Sequence, residues 1–167
     1  LRKRGWNAEF YHAGVGGEER RRVSDGFARG TIDVVVATNA FGMGIDRADV
    51  RCVIHLAPPS SIEAYYQEVG RAGRDGETAY GLLLAATQDL PLRRRLIERD
   101  GLDADIVEHK WGLFLELMRW VEGGSCRHDA ILRYFGAEEA DDAHGCGHCD
   151  VCTSYGGDEQ DTEEVEL

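Results

Sequence analysis

Two short runs rich in apolar, β-branched or aromatic residues, Ala8 to His12 and Ile32 to Thr38, open the chain's hydrophobic pattern. The second, IDVVVAT, is apolar nearly throughout and reads as a parallel strand buried on both faces. A helix lies between them. Gly16 and Gly17 open it, Glu18 and Glu19 occupy the first turn, where the helix dipole favours acids, and Gly30 closes it. Cys52 to Leu56 (CVIHL) is a third strand stopped by Pro58 and Pro59, a helix capped by Ser60 or Ser61 runs towards Arg71, and Ala79 to Ala86 is a fourth strand. Such alternation predicts a parallel sheet with helices on its faces and ligand sites at the carboxyl ends of the strands. Beyond Thr87 the helical period dominates, over 89–98 and 106–121, and Gly123, Gly124 and four cysteines follow. The expected fold class is α/β: a sheet-bearing part over 1–100, a small helical module over 101–155 after a boundary near Asp100 to Asp105, and a tail over 156–167. The tail lacks periodicity and carries six acids between Asp158 and Leu167, so it is expected to be disordered and solvated.

With 167 residues, 43% of them hydrophobic and 30% charged, the chain has the composition of a globular domain with a small appendage. No apolar run approaches the roughly 20 residues that span a bilayer, so no membrane partner is expected. The net charge of -12 is unevenly spread: 17 basic and 19 acidic residues precede Ser125, against 2 and 12 after it. Bulk acidity argues against a nucleic-acid partner, but the first 125 residues escape that argument. Their cations are nearly all arginine, since Lys3 and Lys110 are the only lysines, and arginine offers a planar fork for phosphate; a genomic base-composition bias accounts for the excess equally well. Leu1 is not an initiator methionine and Leu1 to Arg4 resembles the end of a helix, so the chain is expected to belong to a longer one.

Cys126, Cys146, Cys149 and Cys152 are spaced C-x19-C-x2-C-x2-C, which lets three thiolates converge on one centre while the fourth arrives from a helix start. Disulfides would have to pair the clustered thiols with one another or leave one unmatched. An iron–sulfur cubane suits the same spacing. Zinc is the favoured occupant, and four thiolates would close its tetrahedron as a structural site, with His144 or His148 as substitutes for a cysteine or, more simply, loop histidines. Residues 106–155 are too few and too acidic to hold a core alone, so this part is expected to unfold without metal. Cys52, inside an apolar strand, is expected to be a small core residue.

Thr38 to Asp46 reads TNAFGMGID directly after the buried strand, and Gln67 to Gly76 reads QEVGRAGRDG at the end of the next helix. Arg71 and Arg74, three apart, would share one helical face and project together towards a polyphosphate. Gly70 and Gly73 weaken that helix, a cost of nearly 1 kcal/mol each that calls for a packing or functional reason. With YHAG at Tyr11 to Gly14, VVATNAFGMGIDRADVRCVIH from Val35, SSIEAYYQEVGRAGRDG from Ser60, and CRHDAILRYFG followed by CGHCDVC, the chain resembles the second motor lobe and zinc-binding module of RecQ-type DNA helicases. GRAGR alone would indicate superfamily 2 helicases in general; FGMGID and the attached cysteine module narrow the resemblance to RecQ.

That resemblance implies a partial RecA-like lobe followed by the helical zinc module, acting in an ATP-dependent 3′ to 5′ DNA helicase of repair and recombination. Arg74 would be the arginine finger reaching the γ-phosphate of ATP on the other lobe, with Arg71 and Gln67 coupling that site to DNA. Asp46 would sit at the nucleotide cleft with ATP and Mg²⁺, Thr38 and the backbone at Gly42 to Gly44 would follow the phosphates of single-stranded DNA, and His12 would help position that strand. For Thr38 and His12, strand-end capping and ordinary packing explain the residues equally well. The chain contains no GxxxxGK[ST] loop, and DEQD at Asp158 to Asp161 follows no apolar strand, so alone it should not hydrolyse ATP. It would need an N-terminal RecA-like lobe as partner, and no winged-helix domain is expected after the cysteines. Its oligomeric state is left open, and its location would be cytoplasmic beside the nucleoid in a prokaryote or nuclear in a eukaryote. The rival readings are a non-catalytic zinc-stabilised binding module and an RNA helicase.

Overall fold

The structure, a computed structural model, describes residues 1–38, 41, 47–137 and 145–155. Two compact units divide the chain, one formed by 1–55 and 66–83, the other by 56–65 and 84–167. Asp46, Gly42, Gly44, His144 and the acidic tail lie outside the described residues.

In the first unit, β1 (Ala8–Tyr11) pairs in parallel with β2 (Val34–Ala37), from Ala8 opposite Val34 to Tyr11 opposite Ala37. The connection between them is α1 (Gly17–Ala28), whose Val23 is fully buried; Ala8 and Ile32 are also buried. β3 (Cys52–His55) pairs in parallel with β4 (Tyr80–Leu83). The expected parallel strands are therefore present, but among the described residues they form two two-stranded sheets rather than one continuous sheet. This corrects two expectations. Val36 is 48% exposed opposite an exposed Phe10, so β2 is not buried on both faces, and Cys52 is exposed rather than core. The reason is shared: a two-stranded sheet has helices to cover one face, and along β3 only Val53 and His55 turn inward while Cys52 and Ile54 point out.

The second unit is helical: α3 (Asp89–Arg99), α4 (Ala104–Glu122), α5 (Arg127–Tyr134) and α6 (Asp150–Tyr155). Pro91 is tolerated because it falls in the first turn of α3, where its missing N–H would have no intrahelical acceptor. α4 buries Val107, Phe114, Leu117 and Met118 along one face. Phe114 and Leu117 are almost wholly out of water, each worth about 1.5 to 3 kcal/mol over exposure. The first turn of α2 (Ile62–Val69) joins this core through buried Ile62 and Tyr65, whose ring lies 4.8 Å from that of Trp120. No helix among the described residues is long and apolar enough to cross a membrane.

Candidate functional site

The four cysteines expected to bind metal do converge: the sulfurs of Cys126, Cys146, Cys149 and Cys152 all lie within 4.8 Å of one another, as free thiols. Metal–sulfur arms of about 2.3 Å give a tetrahedron with edges of about 3.8 Å, which suits this spacing. An iron–sulfur cubane interposes its own iron and sulfide atoms and would spread the thiolates to roughly 6 Å, so the geometry favours zinc. Local backbone builds the centre. Cys126 precedes α5, Cys152 lies in α6, and a turn at Gly145 brings Cys146 and Cys149 between them. Gly145 has φ +56, and a Cβ there would sit 2.7 Å from the sulfur of Cys152, so only glycine fits. Backbone N–H groups donate to the sulfurs: Cys146 to Cys126 at 3.2 Å, Cys149 to Cys146 at 3.3 Å and Arg127 to Cys149 at 3.4 Å. Burial pushes the Cys149 thiol up, but hydrogen bonds to its sulfur from the N–H groups of Arg127 and Cys152 and from the Cys152 and Cys146 thiols together bring it down to about 7. His148 is exposed and outside the cluster, as a loop histidine.

Arg127 was not foreseen from the sequence. Its guanidinium donates to the carbonyls of Trp120 and, at 3.0 Å, Gly123 at the end of α4, and to Asp150 of α6 at 2.9 Å. The indole N–H of Trp120 donates back to the Arg127 carbonyl at 3.2 Å. One arginine thus ties the helix end and the metal loop together, and its only sequence signal is its place directly after a ligand cysteine.

The glycine–arginine motif departs from the expected helix. α2 ends at Val69, so Arg71 and Arg74 lie on consecutive turns, not on one helical face. Gly73 causes the change: its φ is +68, a Cβ there would meet Ala79 and the Glu77 carbonyl at 3.1 Å, and its N–H donates to the Val50 carbonyl at 2.9 Å. Gln67 and Arg74 are exposed and Arg71 is half-buried. The Nε of Arg74 donates to the Gly70 carbonyl at 3.3 Å, and no described carboxylate pairs with it. Asp75 pairs instead with Arg51, whose guanidinium holds that carboxyl below its usual range. His55, unflagged by the sequence reading, is buried at the end of β3 with its Nε2 2.7 Å from the Glu68 carboxylate, which anchors the last turn of α2 beside Gln67.

At the carboxyl ends of β1 and β2, His12 and Thr38 follow the paired residues Tyr11 and Ala37 and are both exposed. The Thr38 N–H donates to the Tyr11 carbonyl at 3.1 Å, and the Nδ1 of His12 accepts from Gly14 at 3.1 Å. The two residues therefore share the strand-end edge at which open α/β sheets hold ligands. Phe41 packs there against Tyr11, with ring centroids 4.8 Å apart. Arg47 braces the far side by donating to the carbonyls of Phe27 and Ile32 and pairing with Asp49 at 2.7 Å.

Comparison with known proteins finds two family matches in sequence: the helicase conserved C-terminal domain over residues 1–76 and the RecQ zinc-binding family over residues 87–153. The ATP-dependent DNA helicase hus2/rqh1 of Schizosaccharomyces pombe is 40% identical over 89% of the chain, and the ATP-dependent DNA helicase RecQ of Bacillus subtilis is 35% identical over all of it. A protein of Acanthamoeba polyphaga mimivirus, named as an ATP-dependent RNA helicase, is 39% identical over 86%. The chain spans 11%, 28% and 25% of the length of these relatives. A helicase C-terminal domain runs directly into a zinc-binding region whose four thiols converge, and this chain belongs to the RecQ family of helicases.

Proposed function

We propose that the chain serves as the second motor lobe and zinc module of an ATP-dependent 3′ to 5′ DNA helicase acting in DNA repair and recombination, with residues 1–100 as the lobe and 101–155 as the module. ATP with Mg²⁺, held by a partner lobe, supplies the phosphate whose cleavage drives movement. Arg74 is the residue this chain contributes to that reaction, as an arginine finger, a role worth about 10³ to 10⁵ in rate in nucleotide hydrolases. The observation that supports it is an exposed guanidinium, unpaired by any described carboxylate, on a turn fixed by Gly73. Arg71 and Gln67 would couple the same turn to DNA, and Asp46 would border the nucleotide. Thr38, Gly42, Gly44 and His12 would follow the phosphates of single-stranded DNA, a role supported for Thr38 and His12 by their shared strand-end edge.

In the intact helicase, Arg74→Ala should lower DNA-stimulated ATP turnover at least about a hundredfold, roughly 2.7 kcal/mol of transition-state stabilisation, with little change in nucleotide affinity. Lysine should not restore it fully, because a point charge lacks the fork. Near-normal turnover in folded Arg74→Ala protein would refute the assignment. The mimivirus relative's name supports an RNA helicase as the second reading; unwinding of DNA against RNA duplexes by the intact protein decides between them.

A further inference from the structure

The helical unit contains a cavity of about 410 Å³ that no part of the proposed ATP reaction uses. Two cations line it, Arg93 of α3 and Lys110 of α4, together with Ser60 and Ser61 at the start of α2 and one acid, Asp100. Arg93 is half-buried, with its guanidinium 5.6 Å from the centre of the Phe114 ring. Its Nε is out of water and has no hydrogen-bond partner among the described residues, and burial pulls the guanidinium below its ordinary value. Desolvating a cation without a counter-charge is costly. The next residue shows the usual remedy, since Arg94 pairs with Glu98 at 2.7 Å and Glu108 at 2.6 Å. Asp100 offsets part of that cost from a distance, but no described carboxylate forms an ion pair with Arg93.

We propose that this cavity is an anion site that takes one phosphodiester of a nucleic-acid backbone, an inference that rests on the DNA-helicase reading above. The charge balance selects the ligand. Arg93 and Lys110 against Asp100 leave the cavity one positive charge. A phosphodiester carries one negative charge and matches that balance, whereas a phosphate monoester carries about 1.5 to 2 at neutral pH and would leave the cavity with excess negative charge. The guanidinium and ammonium supply charge-assisted donors, Ser60 a hydroxyl, and the first turn of α2 a dipole of the matching sign. Such a contact carries no base information; it would fix the register of the helical unit on the strand.

The test is fluorescence anisotropy of a labelled single-stranded oligothymidylate of about 20 nucleotides with the zinc-loaded chain, from about 50 to 200 mM salt. Arg93→Gln and Lys110→Gln should each weaken binding about fivefold or more and lower the salt slope by about 0.7 for the phosphate lost. Asp100→Asn should tighten binding. Lys3→Gln removes the same charge from an exposed position in the other unit and should leave the slope unchanged. An unaltered helical circular dichroism signal checks folding, and Lys110, being exposed, carries the test if Arg93→Gln fails to fold. Variants at Arg93 and Lys110 that behave like Lys3→Gln would overturn the site, as would a wild-type chain that binds no oligothymidylate. Displacement of the oligonucleotide by inorganic phosphate at matched ionic strength would overturn the choice of a diester. The helicase reading fails separately, on absence of DNA-stimulated ATP turnover in the intact protein.

Discussion

Replacing Arg127 with alanine should destabilise the helical unit by about 3 kcal/mol, and the contacts of this one side chain say where the loss arises. Its guanidinium donates to the carbonyls of Trp120 and Gly123, which α4 leaves without intrahelical donors. Charge-assisted bonds of this kind contribute about 1 kcal/mol or somewhat more each. Stacking over Trp120, 5.7 Å from guanidinium carbon to ring centre, adds about 0.5 kcal/mol. The pair with Asp150 adds little, about 0.5 kcal/mol, because that carboxylate is 68% exposed whereas Arg127 is 18% exposed. Asp150→Asn should therefore cost only about 0.5 kcal/mol. Urea denaturation in excess zinc, followed by tryptophan fluorescence, measures both variants. If Asp150→Asn costs as much as Arg127→Ala, the surface ion pair and not the carbonyl clamp holds the helix end, and the reasoning fails. Arg127 holds the Asp150 carboxyl below its usual range of about 3.8, so this pair contributes stability above that pH and loses it as pH falls. Arg127→Ala should abolish that part of the acid sensitivity.

Two further outcomes follow from named contacts. The Tyr134 hydroxyl donates to Glu63 at 2.5 Å, and that bond pushes the phenol up to about 12; its stability contribution is complete below about pH 10 and is lost towards pH 12, so thermal melts of Tyr134→Phe should lack the wild type's decline over that window. Cys52 is exposed while the other four thiols hold metal, so a thiol reagent should modify one cysteine rapidly in the zinc-loaded chain and four more after chelation; five fast thiols with zinc bound would contradict the four-thiol centre.

Element types were legible wherever a local signal determines them. The βαβ alternation, the helices over 89–98 and 106–121 and the cysteine cluster depend on periodicity or spacing, which lie in neighbouring residues. What was misread depends on the third dimension. Cys52 and Val36 sit in apolar strands, but whether an apolar strand is covered is decided by what packs on each face, and periodicity does not record that. The helical face expected for Arg71 and Arg74 failed because Gly73 adopts a left-handed conformation while its N–H reaches Val50, a contact across 23 residues of chain. Arg127 and the His55–Glu68 pair were invisible for the same reason: one residue's role is set by carbonyls and carboxylates that only folding brings near.

Removing zinc should not melt the whole module, contrary to the expectation from size and acidity alone. α5 has 8 residues and α6 has 6, too short to persist in water without tertiary support, and each is held by ligand cysteines at or near its start. The thiolates also place negative charge where the helix dipoles favour it. α4 differs. Its 19 residues bury Phe114, Leu117 and Met118, and α3 packs on it through Arg93 over the Phe114 ring at 5.6 Å and Arg94 over the Trp111 ring at 5.5 Å. These contacts do not involve the metal. Chelation should therefore remove about the 14 residues of α5 and α6 from the helical signal, near a fifth of the 64 described α-helical residues, while α3 and α4 survive. Circular dichroism before and after chelation measures the fraction lost, and amide exchange locates it. Loss of protection at Leu117 together with Ile131 would refute the division, because it would make the thiolate centre, and not the buried face of α4, the source of the helical unit's stability.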